Sequence, residues 1–379
     1  MKLLLFANTD WYLFNFRRSL ALAIQAAGHE VLLVSPPGPY GERLRQLGLR
    51  WEPAPMQRRS LNPLRELELV LWLRRLIVRE GIDLVHGFTI KCAVYGSLAA
   101  RLAGVPNRVS AVAGMGYVFT SRDLRARVLR PIVRNLLRLS FRGSNARLIL
   151  QNPDDVMLFQ RARLVDSSNV RMIPGSGVDC QKFSPPTAAP VEESPGRFRV
   201  LLPARLLWDK GVAEYVAASR RLRSEGRAVD FLAAGEPDPG NPAAVPEEQI
   251  RSWVAEGCIQ WLGHVEDMPH LFHSVHVAVL PSYREGLPKG LIEAAACGLP
   301  LITTDVPGCR EVVTHRVSGL LVPARDAIAL AAAIAELHDD PELRAMLGAA
   351  ARRKVVAEFD DKRVVAGTLN VYRELVPGF

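Results

Sequence analysis

Two glutamates stand eight residues apart, at Glu285 and Glu293, in PSYREGLPKGLIEAAACGLPLITT, residues 281–304. The preceding VAVLPS is typical of a buried strand, and KGLIEAAAC of a helix that ends at Gly298. Free amides and the dipole make the start of such a helix a site for phosphate. The spacing predicts a diphosphate at the turn, with one carboxylate available for a sugar and the other for a ribose.

A structural interpretation of the pair stays open. Glu285 would then favour the positive helix end, and Glu293 would be a paired, half-buried acid. The basic residues Arg205 and Lys210, in LLPARLLWDKG, favour the binding interpretation, because loops at the carboxyl ends of parallel strands share one crevice. We expect both cations and the turn at 285–290 to converge on one anion and to stabilise a departing diphosphate.

The elements that must position these residues alternate along the whole chain. Short apolar runs such as KLLLFA and FRVLLPA are separated by helical patterns, which indicates βαβ units and parallel sheets. A chain of 379 residues is also too long for one hydrophobic core. We predict an α/β protein with two Rossmann-like domains, residues 1–175 with about 358–379 and residues 176–357. The C-terminal helix is expected to cross back to the first domain.

The charge is distributed unequally between the two predicted domains. Residues 1–175 hold 26 basic and 12 acidic side chains, and the remainder holds 22 and 27. The basic half predicts an anionic partner, which is nucleic acid, an acidic membrane surface or a phosphorylated substrate. Five scattered cysteines form no CxxC pair and indicate a reduced cytoplasm. MKLLLF is typical of a first strand rather than a signal peptide, and no apolar run is long enough to span a bilayer.

Arginines recur at three- and four-residue spacing within residues 121–148, at Arg127, Arg130, Arg134 and Arg138. Apolar residues lie between them, so the segment predicts an amphipathic helix that docks on an anionic bilayer. The alternative is a solvated helix face with its apolar stripe in the protein core.

Several segments together resemble the retaining GT-B glycosyltransferases of family four. These are PARLLWDKG, GHVEDMPHLFHSVHVAVLPSYREGLPKGLIEAAACGLPLITTDVPGCREVV and GLLVPARD, with GHEVLLVSPPG, DLVHGF and IPGSGVDCQKFSP from the other half and the crossover. The resemblance covers most of residues 197–330 and implies two domains that face each other across a cleft. It extends most closely to bacterial enzymes that add N-acetylhexosamine, especially N-acetylgalactosamine, to lipid-diphosphate-linked sugars.

The resemblance implies specific roles. Arg205 and Lys210 would hold the donor diphosphate, Glu293 the ribose hydroxyls, and Glu285 the transferred sugar. Backbone groups of Gly286, Leu287 and Lys289 would complete the cradle, and Val265 would bind the base. The implied substrates are UDP-N-acetylgalactosamine or UDP-N-acetylglucosamine and a polyprenyl-diphosphate-linked sugar. The implied enzyme needs no metal or tightly bound cofactor and works in the cytoplasm, peripherally on the inner face of the membrane.

The first half departs from the family pattern at two places. ANTDWYLFNF has no glycine-rich loop after the first strand, so we expect Asp10, Trp11 and Tyr12 to shape an acceptor pocket, although aromatic residues there are as often packing. SAVAGMGYVF lacks the family histidine, and Gly114 and Gly116 permit close approach of a substrate. His86 is a further acceptor candidate, with a structural role as the alternative.

Other classes of function fit the sequence less well. A non-hydrolysing UDP-sugar epimerase of the same architecture would be expected to carry more acids and histidines in the cleft. A nucleic-acid-binding protein would explain the basic half but not the two glutamates, and no recognition motif is present. The absence of GxGxxG after any predicted strand argues against a dinucleotide-dependent dehydrogenase. No DxD pair is present to hold a divalent metal.

Overall fold

A computed structural model describes residues 1–58, 60, 62–112, 124–186 and 197–379, with the side chains of 124–130 and 132 outside that description. The chain divides into two units, Met1–Gly177 with Asp361–Phe379, and Val178–Asp360. The predicted boundaries lie within three residues of these positions.

The first unit is built on a parallel sheet of seven strands in the order β3-β2-β1-β4-β5-β6-β7. The strands are β1 (Lys2–Phe6), β2 (Glu30–Ser35), β3 (Arg50–Pro53), β4 (Leu84–Phe88), β5 (Asn107–Ala111), β6 (Ala146–Leu150) and β7 (Val170–Met172). Strands β1 and β2 contain long apolar runs because helices cover both sheet faces. Leu3, Leu4, Leu5 and Phe6 of β1 are all fully buried.

The helices of the first unit are α1 (Asp10–Tyr12), a π-helical turn (Leu13–Arg17), α2 (Arg18–Ala26), α3 (Tyr40–Gln46), α4 (Pro63–Glu80), α5 (Thr89–Leu102), α6 (Leu124–Phe141) and α7 (Pro153–Arg161). A short 3-10 turn covers Ser167–Asn169. Sequence signals set the ends of α4, since the Asn62 side chain caps its first turn and Gly81 follows in the left-handed conformation.

The C-terminal helix belongs to the first unit, as predicted. It spans Asp361–Leu375 and packs against α2, where Ser19 donates a hydrogen bond to the Asp361 carboxylate over 2.8 Å. Its Tyr372 side chain is fully buried in the same core as Leu3 and Phe88.

The second unit contains a parallel sheet of six strands in the order β10-β9-β8-β11-β12-β13. The strands are β8 (Phe198–Pro203), β9 (Val229–Ala234), β10 (Gln260–Gly263), β11 (Val277–Leu280), β12 (Leu301–Thr304) and β13 (Leu320–Val322). The helices are α8 (Val212–Ser224), α9 (Glu247–Ala255), α10 (Met268–His273), α11 (Lys289–Ala296), α12 (Cys309–Val312), α13 (Ala327–Asp339) and α14 (Pro341–Glu358), so the C-terminal helix of the first unit is α15. A 3-10 turn, Trp208–Lys210, follows β8.

The two parallel α/β sheets confirm the predicted fold class. The predicted strands of both halves are present, but β3 and β7 were not predicted. They are the two edge strands of the first sheet, and their side chains are partly or largely exposed. These two strands bury too little apolar surface to produce a recognisable run.

Candidate functional site

The turn after β11 leads directly into α11, as the sequence predicted. Pro288 is the residue before the helix, and no side chain caps the first turn. Gly290 allows close packing, because a Cβ there would lie 2.4 Å from the carbonyl oxygen of Pro203 at the end of β8. The start of the helix therefore lies beside the loop that follows β8, which is the arrangement an anion site requires.

Lys210 and Glu285 form an ion pair at the carboxyl ends of β8 and β11. The lysine Nζ lies 2.5 Å from Oε1 of Glu285, and the two side chains are 15% and 11% exposed. Their loops are joined by hydrogen bonds, since the Asp209 carbonyl accepts from the amide of Tyr283 over 2.8 Å. Left-handed Gly211 fits against Pro281, whose carbonyl oxygen would lie 2.0 Å from an added Cβ. The adjacent strands β8 and β11 thus bring a cation and a carboxylate together.

The loop after β12 holds Glu285 from the other side. The Glu285 amide donates to the Pro307 carbonyl over 3.0 Å. Gly308 has φ +86°, and a Cβ there would lie 2.5 Å from the Glu285 carbonyl oxygen. The loops after β8 and β12 therefore hold the turn that carries Glu285, so its carboxylate has a defined position.

Arg205 is paired with a different carboxylate. Its guanidinium is 53% exposed and pairs with Asp238 over 2.8 Å. Asp238 follows β9, so Arg205 points toward the loop of the neighbouring strand. Convergence of Arg205 and Lys210 on one anion stays a prediction, and the Arg205 guanidinium is paired with Asp238 instead of a ligand.

Glu293 lies four residues into α11, about 6 Å along the helix axis from Lys289. Its side chain is 17% exposed, and Nζ of Lys289 lies 3.9 Å from Oε1. Burial raises the pKa of Glu293, and the charges of Lys289 and Lys182 oppose that rise. A carboxylate in this setting accepts hydrogen bonds from ligand hydroxyl groups readily, because few protein donors occupy it.

The remaining predicted donor residues lie around the same sheet edge. Leu287 and Val265 pack against one apolar core, and Val265 comes just after β10. Gly286 lies between Glu285 and Leu287 in the turn and is half-buried. Val265 thus lies near the carboxyl end of β10, whereas Gly286 and Leu287 lie in the turn that follows the carboxyl end of β11.

Tyr283 is a site residue that the sequence analysis missed. Its hydroxyl donates to both carboxylate oxygens of Glu214, over 2.8 and 2.9 Å. The Arg325 guanidinium lies 4.3 Å from the centre of the tyrosine ring. Burial, followed by the hydrogen bond to Glu214, raises the pKa of Tyr283 to about 12. Tyr283 therefore anchors the turn that carries Glu285, and only its place two residues before that glutamate pointed to this role.

The acceptor candidates of the first unit are mostly engaged with their own domain. The buried Asp10 carboxylate accepts from the amides of Trp11, Tyr40 and Gly41 over 2.8, 2.6 and 2.9 Å. Asp10 thus ties the loop after β1 to the start of α3. Trp11 is exposed, whereas the Tyr12 hydroxyl accepts from an internal arginine. Contact of these residues with an acceptor stays a prediction.

His86 lies within β4 and is 1% exposed. Its Nδ1 is 2.6 Å from the Tyr372 hydroxyl. Burial, with a smaller contribution from the charge of Arg17, lowers the pKa of His86 well below its usual range. The histidine is therefore neutral at pH 7, and its Nδ1 has a structural role in the hydrogen bond to Tyr372.

The arginine-rich segment forms α6, but only part of it is described. Arg134 donates to the carbonyl of Ala162 over 2.7 Å, and Arg138 to that of Arg163 over 2.9 Å. Leu137 is fully buried, so this part of the apolar stripe packs in the core. The side chains of Arg127 and Arg130, and Gly114 and Gly116, lie outside the described residues. Membrane docking by the four arginines stays a prediction.

Two kinds of structural feature are absent from the described ranges. No helix there has the length and the apolar character needed to cross a bilayer. No group of three or more histidine, cysteine, aspartate or glutamate side chains there is arranged to hold a metal ion.

Two family models match the chain. The model described as Glycosyl transferases group 1 matches residues 187–354, and the model described as Glycosyl transferase 4-like domain matches residues 15–175. Among solved structures, Anabaena HepE in complex with UDP is 20% identical and superimposes with a TM-score of 0.79, covering 99% of this chain and 100% of that one.

Two curated relatives span most of the chain. The N,N'-diacetylbacillosaminyl-diphospho-undecaprenol alpha-1,3-N-acetylgalactosaminyltransferase of Campylobacter jejuni subsp. jejuni serotype O:2 is 27% identical over 375 residues, which is 96% of each chain. The UDP-Gal:alpha-D-GlcNAc-diphosphoundecaprenol alpha-1,3-galactosyltransferase of Escherichia coli is 26% identical over 326 residues, covering 84% of this chain and 82% of the relative.

The two family models together cover most of the chain and, with the two parallel-sheet units, show that it is a glycosyltransferase of the GT-B class. Within that class, the chain belongs to the glycosyltransferases of family four, as the sequence resemblance indicated.

Proposed function

We propose that the protein is a retaining glycosyltransferase that moves N-acetylhexosamine from a UDP-sugar to a polyprenyl-diphosphate-linked sugar. The ion pair of Lys210 and Glu285, held beside the uncapped start of α11, carries the donor half of the proposal. The two curated relatives are both transferases acting on undecaprenyl-diphosphate-linked sugars, which supports the acceptor half.

In the proposed donor complex, Lys210 binds the diphosphate together with the amides of Gly286, Leu287 and Lys289. Glu293 accepts hydrogen bonds from the ribose hydroxyls, and Val265 binds the base through its main chain. The UDP complex of the structurally similar HepE supports a uridine nucleotide as the ligand. We favour UDP-N-acetylgalactosamine or UDP-N-acetylglucosamine as the donor.

The proposed reaction occurs on one face of the donor sugar. The bond from the anomeric carbon to the diphosphate oxygen breaks while the acceptor oxygen bonds to the same face of that carbon. The acceptor proton passes to the departing phosphate oxygen, and the charge of Lys210 stabilises the diphosphate as it leaves. Glu285 positions the transferred sugar, and the proposal requires no metal or tightly bound cofactor.

Arg205 joins this site by exchanging partners. Its guanidinium is largely exposed and is paired with one carboxylate, Asp238, so a diphosphate with greater negative charge competes for it. The exchange brings a second cation to the diphosphate. Asp238 is therefore expected to weaken donor binding, and Asp238→Asn to strengthen it.

The proposed acceptor places the enzyme at the inner face of the cytoplasmic membrane. Each basic side chain near an anionic surface contributes about 1 kcal/mol, so a few suffice for reversible association. Arg127 and Arg130 are the proposed contacts, while Arg134 and Arg138 also hold the end of α7.

A donor screen tests the proposal. Purified protein is incubated with UDP-N-acetylgalactosamine, UDP-N-acetylglucosamine, UDP-galactose or UDP-glucose and a short lipid-diphosphate sugar, and the products are weighed by mass spectrometry. We expect addition of one sugar, with an N-acetylhexosamine donor preferred. Incubation with donor alone separates transfer from epimerisation. Interconversion of free UDP-sugars without an acceptor would contradict the proposal.

A further inference from the structure

The first unit contains a buried arginine that has no carboxylate partner among the described residues. Arg17 is the last residue of the π-helical turn and is 5% exposed. Its Nη2 donates to the Tyr12 hydroxyl over 2.8 Å, and its guanidinium carbon lies 4.3 Å from the centre of the Phe88 ring. Within the described part of the chain, its Nε has no hydrogen-bond partner and no acid pairs with it. Such a charge is costly to bury without an anion beside it.

A second unused nitrogen belongs to His86, whose ring centre lies 4.0 Å from that of Phe88. Its Nδ1 contacts the Tyr372 hydroxyl, while Nε2 has no partner among the described residues. If the hydroxyl donates to Nδ1, Nε2 carries the proton and is the one unsatisfied atom of the pair. The opposite tautomer would leave both the hydroxyl proton and Nε2 unsatisfied. Arg17 and His86 therefore each offer an unused N–H group near one aromatic ring.

The location of these groups within the fold points to a ligand. Strand β1 lies between β2 and β4. The chain adds β2 and β3 on one side of β1 and then β4 to β7 on the other, so the strand order switches between β1 and β4. Ligands of open α/β sheets bind at the carboxyl ends of strands at this kind of position. Arg17 follows β1, and Phe88 ends β4 immediately before the 14-residue helix α5.

Backbone conformation at the same place is unusual. A π-helical turn precedes the buried guanidinium, and such turns often occur at functional sites. Thr89, the first residue of α5, has φ +69°, a strained conformation for a β-branched side chain. No side chain caps this helix, so its first amides add positive potential beside Phe88.

We propose that Arg17, together with Nε2 of His86 and the start of α5, binds a phosphate group of the acceptor. The guanidinium and the helix start provide the charge that a phosphate requires, and this site is separate from the residues assigned to the donor. That the phosphate belongs to a lipid diphosphate rests on the proposed function. The existence of an anion site at Arg17 does not.

The matched variants are Arg17→Met and Arg18→Met, because Arg18 is the next residue but packs on Phe14 and is half-buried. Thermal unfolding is followed with inorganic pyrophosphate while saturating UDP occupies the donor site. We expect pyrophosphate to stabilise the wild type and Arg18→Met but not Arg17→Met. Without pyrophosphate, Arg17→Met is expected to be as stable as the wild type or more so, because it removes an uncompensated charge. Equal stabilisation of all three proteins would overturn the site.

Steady-state kinetics then identify the source of the phosphate. Losing a charge-assisted contact is expected to raise the KM for the lipid-diphosphate sugar about 10- to 100-fold in Arg17→Met, with the KM for the UDP-sugar unchanged. An increase in the donor KM alone would overturn the assignment to the acceptor. If the wild type transfers to no lipid-diphosphate sugar, the proposed function fails while the pyrophosphate measurement still decides the anion site.

Discussion

Replacing Lys210 by methionine separates the structural from the chemical role of its pair with Glu285. The two charges lie 2.5 Å apart and are 15% and 11% exposed, so water still screens them in part. Breaking a fully buried pair costs about 3–5 kcal/mol and breaking an exposed one at most about 1 kcal/mol. We therefore expect a loss of about 2 kcal/mol, which lowers the Tm of a domain of this size by about 4–8 °C.

The effect on transfer is expected to be larger than the effect on folding. A single group that stabilises the charge of the transition state is worth about 10²- to 10³-fold in kcat. The control is the double variant K210M/E285Q, which removes both charges and leaves no unpaired carboxylate. It should recover most of the lost stability while remaining inactive.

Thermal unfolding and initial rates at saturating donor measure the two quantities on the same preparations. Near-wild-type kcat in the double variant would refute the assignment of Lys210 and Glu285 to the chemistry. Equal losses of stability in the single and double variants would refute the structural estimate.

Three further predictions concern other parts of the molecule. Glu293→Gln should weaken UDP binding about 10- to 100-fold by calorimetry, because a hydroxyl loses its charged acceptor. Burial raises the pKa of Glu293 above 4.5 in the folded state, so the folded protein holds this proton more tightly than the unfolded chain does. The contribution of Glu293 to the free energy of unfolding therefore falls as the pH rises from 4.5 through the folded-state pKa. The glutamine variant should lose this pH dependence of stability. An unchanged slope of stability against pH would contradict the raised pKa of Glu293. Gly211→Ala should lower kcat at least about tenfold by displacing Pro281. Gly226→Ala has nearly the same φ but open space around the new Cβ, so it should keep full activity, and equal rates for the two would contradict the loop argument. Replacing Arg127 and Arg130 by glutamine should weaken flotation with anionic vesicles about tenfold or more. Salt-insensitive or unchanged binding would argue against docking through α6.

Much of the fold follows from local patterns. Leu3, Leu4 and Leu5 form a continuous apolar run because helices cover both faces of the sheet. The edge strand Arg50–Pro53 has mixed exposure and no such pattern. Its position depends on pairing with β2, a non-local contact that residue order does not reveal.

The candidate site at the carboxyl ends of β8 and β11 was predictable to a similar extent. The meeting of Lys210 with Glu285 follows from the rule that loops at the carboxyl ends of parallel strands lie together. The pairing of Arg205 with Asp238 does not, because it depends on the course of the loop after β9. That loop has no periodic pattern from which its path can be inferred.

Arg17 shows what sequence analysis overlooked in the first unit. It occupies the same helical stripe as Leu13, Leu20 and Ile24, where an apolar side chain is expected, whereas Arg18 beside it is half-buried. A charged residue within an apolar stripe was the available signal. That no described carboxylate pairs with it became visible only from the contacts of the folded chain.

The stereochemistry of the transfer product tests the central claim most directly. The preferred UDP-N-acetylhexosamine is incubated with a lipid-diphosphate sugar, and the new glycosidic linkage is determined by NMR together with the product mass. We predict one added N-acetylhexosamine whose anomeric configuration is that of the donor. An inverted linkage would contradict the retaining mechanism, and no transfer from any UDP-sugar would contradict the proposed function itself.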